Sequence, residues 1–331
     1  MMEPFKALVV DKVENDTEVS VKKMTKEDLP AGDVLIKVQY SSVNYKDGLA
    51  THPKGNIVKE YPHVPGIDLA GVVVESDHPE WKEGDRVIVT SYELGVSHYG
   101  GFSEYARVKA EWIVPLPVGL SMKEAMVYGT AGFTAALSVY QLEQAGLTPD
   151  RGPVLVTGAT GGVGSMAVAI LAKKGYEVTA STGKESEHSY LKGLGATSII
   201  NRDEVAPEGF KPIGKQKWAG AVDPVGGSTL AAVLSNTMYG GAVAVSGLTA
   251  GPKVPTTVFP FILRGVNLLG IDSVYCPMEK RKEIWKKAAG EYKPAEHLEA
   301  IQHEISFEEL PEVLSSILSG NVRGRTIVAF D

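Results

Sequence analysis

The first 120 residues consist of short apolar segments that turn residues separate. Four of these segments are rich in apolar or β-branched side chains, and Gly, Pro and Asp bound them. They are residues 6–10, 34–38, 69–74 and 86–89. No long helical period interrupts them, so the pattern predicts an antiparallel or barrel-like β domain.

The pattern changes near residue 121. Ser121 and Glu124 match a helix capping box, and apolar residues at helical spacing follow over 125–145, interrupted by the small residues 129–132. Apolar strands and helices then alternate. The predicted strands are residues 153–157, 177–181, 198–200, 219–223, 241–245 and 266–271, and the predicted helices between them include 164–174 and 185–194. This alternation predicts a parallel sheet covered on both faces, as in dinucleotide-binding domains.

The alternation stops after residue 271. Two amphipathic helices, over 277–290 and 306–319, precede a last strand over 325–330. This tail is too small to bury a core of its own, so we expect it to pack on the first domain. A length of 331 residues suits two domains, at roughly 100–200 residues each.

Composition and charge exclude several classes of protein. The net charge is -7 without a block of five like charges, whereas a nucleic-acid binder normally shows a basic patch, so this class is disfavoured, although scattered residues could still form a basic face. No apolar run approaches the roughly 18–20 residues that span a bilayer, and residues 1–16 lack the pattern of a secretory signal. Cys276, the single cysteine, can form neither an internal disulfide nor a multi-cysteine zinc site. We therefore expect a cytoplasmic protein with no membrane or nucleic-acid partner.

The glycine-rich turn at residues 157–165 is the most informative segment. It follows a predicted strand and opens a helix, whose free N–H groups and positive dipole end can receive a pyrophosphate. Gly161 lets the backbone approach phosphates, and Gly164 permits close contact of helix and sheet. Ala159 stands where the first glycine of G-x-G-x-x-G would be, so a tight turn without a ligand is the alternative. The repeated strand–helix context favours a bound dinucleotide.

The end of the next strand favours NADP(H) over NAD(H). An NAD enzyme usually places Asp or Glu about 20 residues beyond the glycine turn, to bind the ribose hydroxyls. Residues 178–184 contain no carboxylate, and Lys184 with its neighbouring hydroxyls could hold a 2′-phosphate. Lys184 could equally be a solvated surface lysine, so the missing acid is the stronger argument.

Five motifs together carry a family resemblance. They are Asn44-Tyr45-Lys46-Asp47, Pro65-Gly66-Ile67-Asp68-Leu69-Ala70-Gly71, Glu83-Gly84-Asp85-Arg86-Val87, Gly129-Thr130-Ala131-Gly132-Phe133-Thr134-Ala135 and Gly161-Gly162-Val163-Gly164. In this order they resemble the medium-chain dehydrogenase/reductase superfamily, and within it the quinone oxidoreductase and acrylyl-CoA reductase subgroup. The resemblance implies an α/β chain: a GroES-like β-rich catalytic domain from residues 1–124 and 273–331, and an inserted Rossmann domain, a doubly wound parallel sheet, over 125–272.

The resemblance also implies a site without a metal. Zinc alcohol dehydrogenases of the superfamily carry a ligand cysteine at the position of Asn44, and Gly-His-Glu where this chain has Gly66-Ile67-Asp68. Without a Lewis acid, alcohol oxidation loses its means of stabilising an alkoxide. The expected reaction is hydride transfer from NADPH to a small molecule: a quinone, an enone or an acyl-CoA thioester of the acrylyl type.

Three residues are the implied catalytic candidates. Asn44 should face the nicotinamide, and its amide could donate to a developing enolate oxygen or to the carboxamide. Tyr45 could stack near the coenzyme or donate a proton. Asp68 could accept a hydrogen bond from Asn44 or position water. Each has a structural alternative, as a turn former, a packing residue and a hydrogen-bond acceptor, respectively.

The resemblance places the coenzyme contacts mainly along the second domain. They are Tyr45, Thr130, Gly161, Gly162, Val163, Gly164, Ser165, Met166, Thr182, Gly183, Lys184, Arg202, Leu248, Ile262, Ser273 and Asn321. Arg202 would add to the phosphate pocket, with an exposed arginine as the alternative. Asn321 falls on a tail loop that the family folds over the coenzyme.

Other functions and partners stay open from the sequence. A nucleotide-binding structural or regulatory protein could keep the fold without turnover, and an RNA-binding protein is disfavoured by charge. An acyl-CoA would need a basic anchor, and nothing selects among Lys54, Lys59 and Arg264. The apolar strand over 267–271 could pair across a twofold axis, so we expect a homodimer.

Overall fold

The computed structural model describes residues 2–320 and 322–330. The strands are β1 (Phe5–Val13), β2 (Asp16–Met24), β3 (Val34–Val43), β4 (Asp68–Ser76), β5 (Arg86–Thr90), β6 (Tyr105–Val108), β7 (Ile113–Pro115), β8 (Val154–Val156), β9 (Val178–Ser181), β10 (Ser198–Ile200), β11 (Trp218–Asp223), β12 (Thr237–Val245), β13 (Asn267–Gly270), β14 (Gln302–Ser306) and β15 (Arg325–Ala329). The α-helices are α1 (Tyr45–Ala50), α2 (Met122–Gln144), α3 (Gly162–Lys173), α4 (His188–Gly193), α5 (Arg202–Val205), α6 (Gly227–Asn236), α7 (Phe259–Arg264), α8 (Met278–Ala289), α9 (Leu298–Ile301) and α10 (Leu310–Ile317). Short 3₁₀ turns cover Lys26–Asp28, Ala110–Trp112, Pro149–Arg151, Glu185–Glu187 and Phe307–Glu309.

The contacts within the chain divide it into two units. The first unit comprises the described residues up to 130, residues 274–286 and the described residues from 302 on. The second unit comprises residues 131–273 and 287–301. Both ends of the chain therefore belong to the first unit, while the short segment 287–301 belongs to the second. The boundaries expected from the resemblance, 124/125 and 272/273, remain a prediction about domains.

The first unit is built from antiparallel strands. β1 pairs with β2, and a larger sheet has the order β14-β15-β3-β4-β5-β7, with β6 also paired to β3. All these pairs are antiparallel except β14 with β15. The predicted β-rich domain is confirmed. Among its strands β15 lies beside the end of β3, with Thr326 opposite Val43, and this register positions the site described below.

The core of the first unit reflects the two-residue repeat of its strands, in which alternate side chains lie on the same face of the sheet. Alternate residues of β3, such as Val34 and Ile36, are buried with Leu69 of β4 because they share one face of the sheet. A second apolar cluster joins Leu8 to Phe307 and other residues of the tail. This shared core is the reason the tail packs on the first unit, as the sequence predicts.

The second unit contains a parallel sheet with the order β10-β9-β8-β11-β12-β13. Numbered along the chain from β8, this order is 3-2-1-4-5-6, that of a doubly wound dinucleotide-binding sheet. β8 and β11 are buried along their whole lengths. The order reverses between these two strands, and ligands bind beyond the carboxyl ends of strands at such a point.

The sequence pattern does not indicate the polar edge strands or the short helices. β2 is mostly exposed and carries several charged side chains, and β14 is a polar edge strand. Residues 44–47 form the cap and first turn of α1, a short helix for which the sequence gives no helical period. The Ser121–Glu124 capping box is confirmed, because each backbone N–H of the pair donates to the other side chain. Within the described residues, no helix combines the length and apolarity that crossing a bilayer requires.

Candidate active site

The turn between β3 and α1 is fixed by its own side chains. Asn44 caps α1, and the Asn44 N–H donates to Asp47 Oδ2 at 2.8 Å. Asp47 Oδ1 accepts a hydrogen bond from Ile67 N at 3.0 Å, which ties the turn to the segment before β4. Burial, together with the charge of Asp68, raises the pKa of Asp47 to about 7. Asp47 is thus a structural residue of this turn.

Asp68 is the centre of a buried hydrogen-bond network. Its side chain is 0% exposed. Oδ2 accepts hydrogen bonds from Ser42 Oγ and Asn44 Nδ2, both at 2.7 Å, and from Thr130 N at 2.9 Å. Oδ1 accepts from Thr130 Oγ1 at 2.5 Å. The predicted hydrogen bond from Asn44 to Asp68 is present, and four donors saturate this carboxylate.

Asn44 directs its amide hydrogens into the protein. One hydrogen goes to Asp68, and Ser42 O lies 3.3 Å from Nδ2 to accept the other. The residue is buried. In this arrangement Asn44 has no amide hydrogen left for a substrate oxygen, so the geometry suits it to positioning the turn.

Glycine at position 129 leaves the space in which the side chains of this network approach the backbone of α2. α2 is interrupted there, with φ 49° and ψ −155° at Gly129. A Cβ atom at this position would lie 2.5 Å from Asp68 Oδ2 and 2.6 Å from Arg325 Nη2, and closer still to Ser42 Oγ. Only glycine fits, because the conformation and the space both exclude a side chain. The break turns the N–H and hydroxyl groups of Thr130 toward Asp68.

Arg325 completes the network and was not among the sequence candidates. Its guanidinium is 3% exposed and lies 3.7 Å from Asp68 Oδ2. Burial lowers the pKa of Arg325, and the charges of Asp68 and Asp47 oppose that shift. The available sequence signal was a basic residue opening a strand whose last three residues are apolar.

Tyr45 and Thr130 present polar groups beside this network. Tyr45, on the first turn of α1, is 51% exposed, and its hydroxyl has no hydrogen-bond partner among the described residues. Thr130 is partly buried, and its hydroxyl oxygen lies 2.9 Å from Ser91 Oγ. Because the Thr130 hydroxyl hydrogen points to Asp68, Ser91 is the donor of that pair. Among the described residues, no three His, Cys, Asp or Glu side chains are grouped to hold a metal ion.

The glycine turn of the second unit has the shape that a pyrophosphate requires. α3 begins at Gly162 with Gly161 as its cap, so the first N–H groups of the helix have no partner within it. A Cβ atom at Gly164 would collide with Gly158 O and lie 2.7 Å from Ala159 Cα. At Gly161 the nearest atom to such a Cβ would be Gly158 O, 3.5 Å away, so the backbone there is open to a ligand.

The predicted contacts around this turn separate into open and buried groups. Gly161, Gly162 and Val163 are partly exposed, whereas Gly164, Ser165 and Met166 are buried. Ser165 Oγ donates to Ala159 O at 3.2 Å and so closes the turn. The structure thus offers the first three residues to a ligand through their backbone.

The end of β9 brings together the residues expected to select the coenzyme. Thr182 is buried, and its Oγ1 accepts a hydrogen bond from Lys184 N at 3.1 Å. The Arg202 side chain lies over exposed Gly183, because a Cβ atom there would be 2.8 Å from Arg202 Nε. The guanidinium of Arg202 beside Gly183, with no carboxylate on residues 178–184, is compatible with a 2′-phosphate.

The remaining coenzyme candidates are scattered. Leu248 follows β12 and Ile262 lies on α7; both are strongly exposed, and Ser273 is partly buried. Asn321 lies outside the described residues. Ser246, which sequence reasoning missed, follows β12 and has a buried hydroxyl without a hydrogen-bond partner among the described residues. An unpaired hydroxyl at the carboxyl end of a sheet strand suits a bound coenzyme.

Comparisons with known proteins identify relatives over the full length of the chain. The model of the alcohol dehydrogenase GroES-like domain matches residues 30–118, and that of the zinc-binding dehydrogenase matches 162–290. The putative quinone oxidoreductase YhfP of Bacillus subtilis is 59% identical, with 98% of each chain covered. The acrylyl-CoA reductase AcuI of Ruegeria pomeroyi is 51% identical, again with 98% of each covered.

Solved structures agree with these matches. The crystal structure of YhfP with NAD bound has a TM-score of 0.98 at 58% identity, covering 99% of this chain and 100% of that one. The YhdH oxidoreductase of Salmonella enterica in complex with NADP has a TM-score of 0.96 at 47% identity, covering 98% and 100%.

Proposed function

Because the chain belongs to the zinc-free quinone oxidoreductase and acrylyl-CoA reductase subgroup of the medium-chain dehydrogenase/reductase superfamily, we propose that it reduces α,β-unsaturated carbonyl compounds with NADPH. An acyl-CoA thioester of the acrylyl type is the first candidate substrate. A quinone is the second, favoured by the name of the B. subtilis relative. Both reactions add one hydride and one proton to an electron-poor acceptor.

The main support for this proposal is that the hydrogen-bond acceptor sites of the Asp68 carboxylate are already occupied. Oxidation of an alcohol needs a base or a Lewis acid to take up the hydroxyl proton. Asp68 already accepts four hydrogen bonds, and the two oxygens of Asp47 accept backbone N–H groups. Neither acid is available as a base. The Tyr45 hydroxyl is exposed and has no hydrogen-bond partner among the described residues, so it can donate to the carbonyl oxygen of an acceptor and assist its reduction.

We assign the three candidates different tasks in this reaction. When bound, NADPH supplies the hydride for the β-carbon of the acceptor. The single hydroxyl hydrogen of Tyr45 is first donated as a hydrogen bond to the carbonyl oxygen while the enolate forms. The same hydrogen is then transferred as a proton to the α-carbon, and solvent reprotonates Tyr45 at its exposed position. Asn44 positions the turn that carries Tyr45. Asp68 holds Asn44 and Thr130 in place as a permanent acceptor.

The coenzyme is NADP(H), and the charge at the end of β9 supports this. Arg202 lies against Gly183 and Lys184 follows it in the sequence, where an NAD-specific enzyme would carry an acid. A carboxylate there would repel a 2′-phosphate, whereas a guanidinium can bind it through two parallel hydrogen bonds. Gly161, Gly162 and Val163 would hold the pyrophosphate through their N–H groups.

The structure narrows the choice of anchor for the phosphates of an acyl-CoA. Arg264 donates from its guanidinium to the carbonyl groups of Ser235, Thr237 and Gly214, so it is occupied within the protein. Lys59 lines a small pocket of about 140 Å³ together with Lys12. We therefore favour Lys59 as the anchor.

The proposal includes a homodimer formed through the edge of the parallel sheet. β13 pairs only with β12 among the described strands, so its other edge is free to pair with a second copy. Leu268 on β13 and Phe259, Ile262 and Leu263 on α7 are large exposed apolar residues of this region. Light scattering tests this: a pair of substitutions, Ile262→Asp with Leu268→Lys, is expected to give a monomer. A cytoplasmic location fits a chain whose single cysteine forms no disulfide.

A panel of acceptors tests the proposed reaction. The purified protein is mixed with NADPH and acrylyl-CoA, benzoquinone or a simple enone, and consumption of NADPH is followed by absorbance. We expect the highest kcat/KM with the thioester, and no loss of rate after treatment with a metal chelator. Binding of NADPH without turnover of any acceptor would instead support a non-catalytic nucleotide-binding protein.

A further inference from the structure

Arg325 joins three separate segments of the first unit around Asp68. Its Nε donates to Val127 O at 3.2 Å, in the part of α2 that precedes the break at Gly129. Nη1 donates to Val43 O at 3.0 Å, at the end of β3. These bonds fix the distance between the segment that leads to Tyr45 and the segment that leads to Thr130.

Arg325 also determines which way the Asn44 amide faces. Nη1 lies 3.2 Å from Asn44 Oδ1, and a guanidinium can only donate, so the amide oxygen must face it. The amide nitrogen then faces Asp68, where it donates. With the opposite amide orientation, Asn44 would place its NH₂ against the guanidinium and its oxygen against a carboxylate.

Ser42 is oriented in the same way. Nη2 of Arg325 donates to Ser42 Oγ at 2.8 Å, which leaves the hydroxyl hydrogen of Ser42 for Asp68. Arg325 therefore sets the direction of two of the four hydrogens that reach this carboxylate. It also supplies the opposite charge that a fully buried carboxylate needs.

We propose that Arg325 is a positioning residue for reduction, holding the Asn44–Tyr45 turn and Thr130 in register around Asp68 so that the Tyr45 hydroxyl reaches the acceptor. This inference rests on the proposed function and deepens it. Arg325 is buried and touches no substrate in this role. Its effect passes through Asn44, and a small displacement of a positioned donor is costly, with about 1 Å worth up to about 100-fold in rate.

Two substitutions of Arg325 remove its interactions to different extents, so we expect them to lower activity to different extents. Arg325→Met removes the charge and all the hydrogen bonds at similar length, whereas Arg325→Lys keeps the charge and at most three N–H donors. Arg107 is the matched control, because it lies on β6 in the same unit, is partly buried and donates to Leu29 O at 3.4 Å. Arg107→Met and Arg107→Lys therefore report the general cost of altering an arginine in this unit.

The readouts separate positioning from loss of structure. For each variant we would measure the thermal midpoint, the Kd for NADPH, kcat and KM for the acceptor, and the isotope effect with NADPH deuterated at the transferred position. We expect Arg325→Met to lower kcat per folded molecule by about 100-fold. Its Kd for NADPH should change by less than about threefold, because the proposed phosphate contacts lie in the second unit. The isotope effect should increase, because hydride transfer becomes rate-limiting, and Arg325→Lys should lie between Met and wild type.

The outcomes are distinguishable. A wild type that turns over no acceptor refutes the proposed function. An active wild type, with a folded Arg325→Met that keeps its kcat and isotope effect, refutes only the positioning role. If Arg325→Met does not fold, the test uses Arg325→Lys and Ser42→Ala instead. A lower kcat and a larger isotope effect in these two variants would support the positioning role. A kcat and an isotope effect equal to those of the Arg107 variants would refute it.

Discussion

Replacing Gly129 by alanine tests the buried network through a single methyl group. The backbone at Gly129 has φ 49° and ψ −155°, a combination at which a residue with a side chain costs roughly 1–3 kcal/mol. The new Cβ would also lie 2.5 Å from Asp68 Oδ2 and 2.6 Å from Arg325 Nη2. Because these atoms are buried and hydrogen-bonded, we add about 1–3 kcal/mol for overpacking. The expected loss in the free energy of unfolding is therefore about 2–6 kcal/mol.

Gly84 provides the matched control in the same unit. Its φ is 89°, yet a Cβ atom there would meet no atom within 4 Å. Gly84→Ala should therefore cost only the backbone part, roughly 1–3 kcal/mol. A larger loss in Gly129→Ala than in Gly84→Ala reports the collision with the network.

Urea unfolding followed by tryptophan fluorescence suits this comparison. Three of the four tryptophans, Trp81, Trp112 and Trp285, belong to the first unit. We expect Gly129→Ala to unfold at clearly lower urea than Gly84→Ala and to lose most activity. Equal midpoints for the two variants, with activity retained in Gly129→Ala, would refute the claim that the network closes on this glycine.

Four further outcomes follow from the same geometry. Arg202→Ala should raise KM for NADPH by about tenfold and leave KM for NADH nearly unchanged, as steady-state kinetics with both coenzymes would show. Tyr45→Phe should lower kcat by about 100-fold or more with a small change in NADPH binding, and an unchanged kcat would remove Tyr45 as the proton donor. The pKa of Asp47 is about 7 in the folded state, against 3.8 for the free side chain, so the folded state binds more protons than the unfolded state between these two values. The contribution of Asp47 to stability should therefore fall as pH rises from 4 to 7. Urea midpoints measured across this range should fall less in Asp47→Asn than in wild type. Lys59→Ala should raise KM for acrylyl-CoA by about threefold to tenfold but not for acrylyl-pantetheine, which lacks the nucleotide phosphates.

The central strands of the second unit could be predicted from the sequence. β8, β9 and β11 are runs of mostly apolar or small residues that are buried along their whole lengths, so each appears without reference to its neighbours. β10 forms over the residues predicted, and the glycine turn identifies the start of α3 within two residues. The polar strands β2 and β14 could not be found in this way, because they lie at sheet edges and bury few side chains.

The catalytic candidates were predictable as residues, together with one contact between them, but their other contacts were not. The motifs drew attention to Asn44, Tyr45 and Asp68, and the hydrogen bond between the first and the last is present. Arg325 escaped notice because it lies about 280 residues beyond Asn44, and only the pairing of β15 with β3 brings the two together. The direction of the Asn44 amide likewise depends on that distant arginine.

Transfer of deuterium tests the central claim most directly. The protein would be incubated with acrylyl-CoA and NADPH deuterated at the transferable position, in ordinary water, and the thioester product analysed by mass spectrometry and NMR. The account predicts a saturated thioester with one deuterium on its β-carbon and a proton from solvent on its α-carbon. A protein that binds the coenzyme but leaves this thioester, enones and quinones unreduced would contradict it.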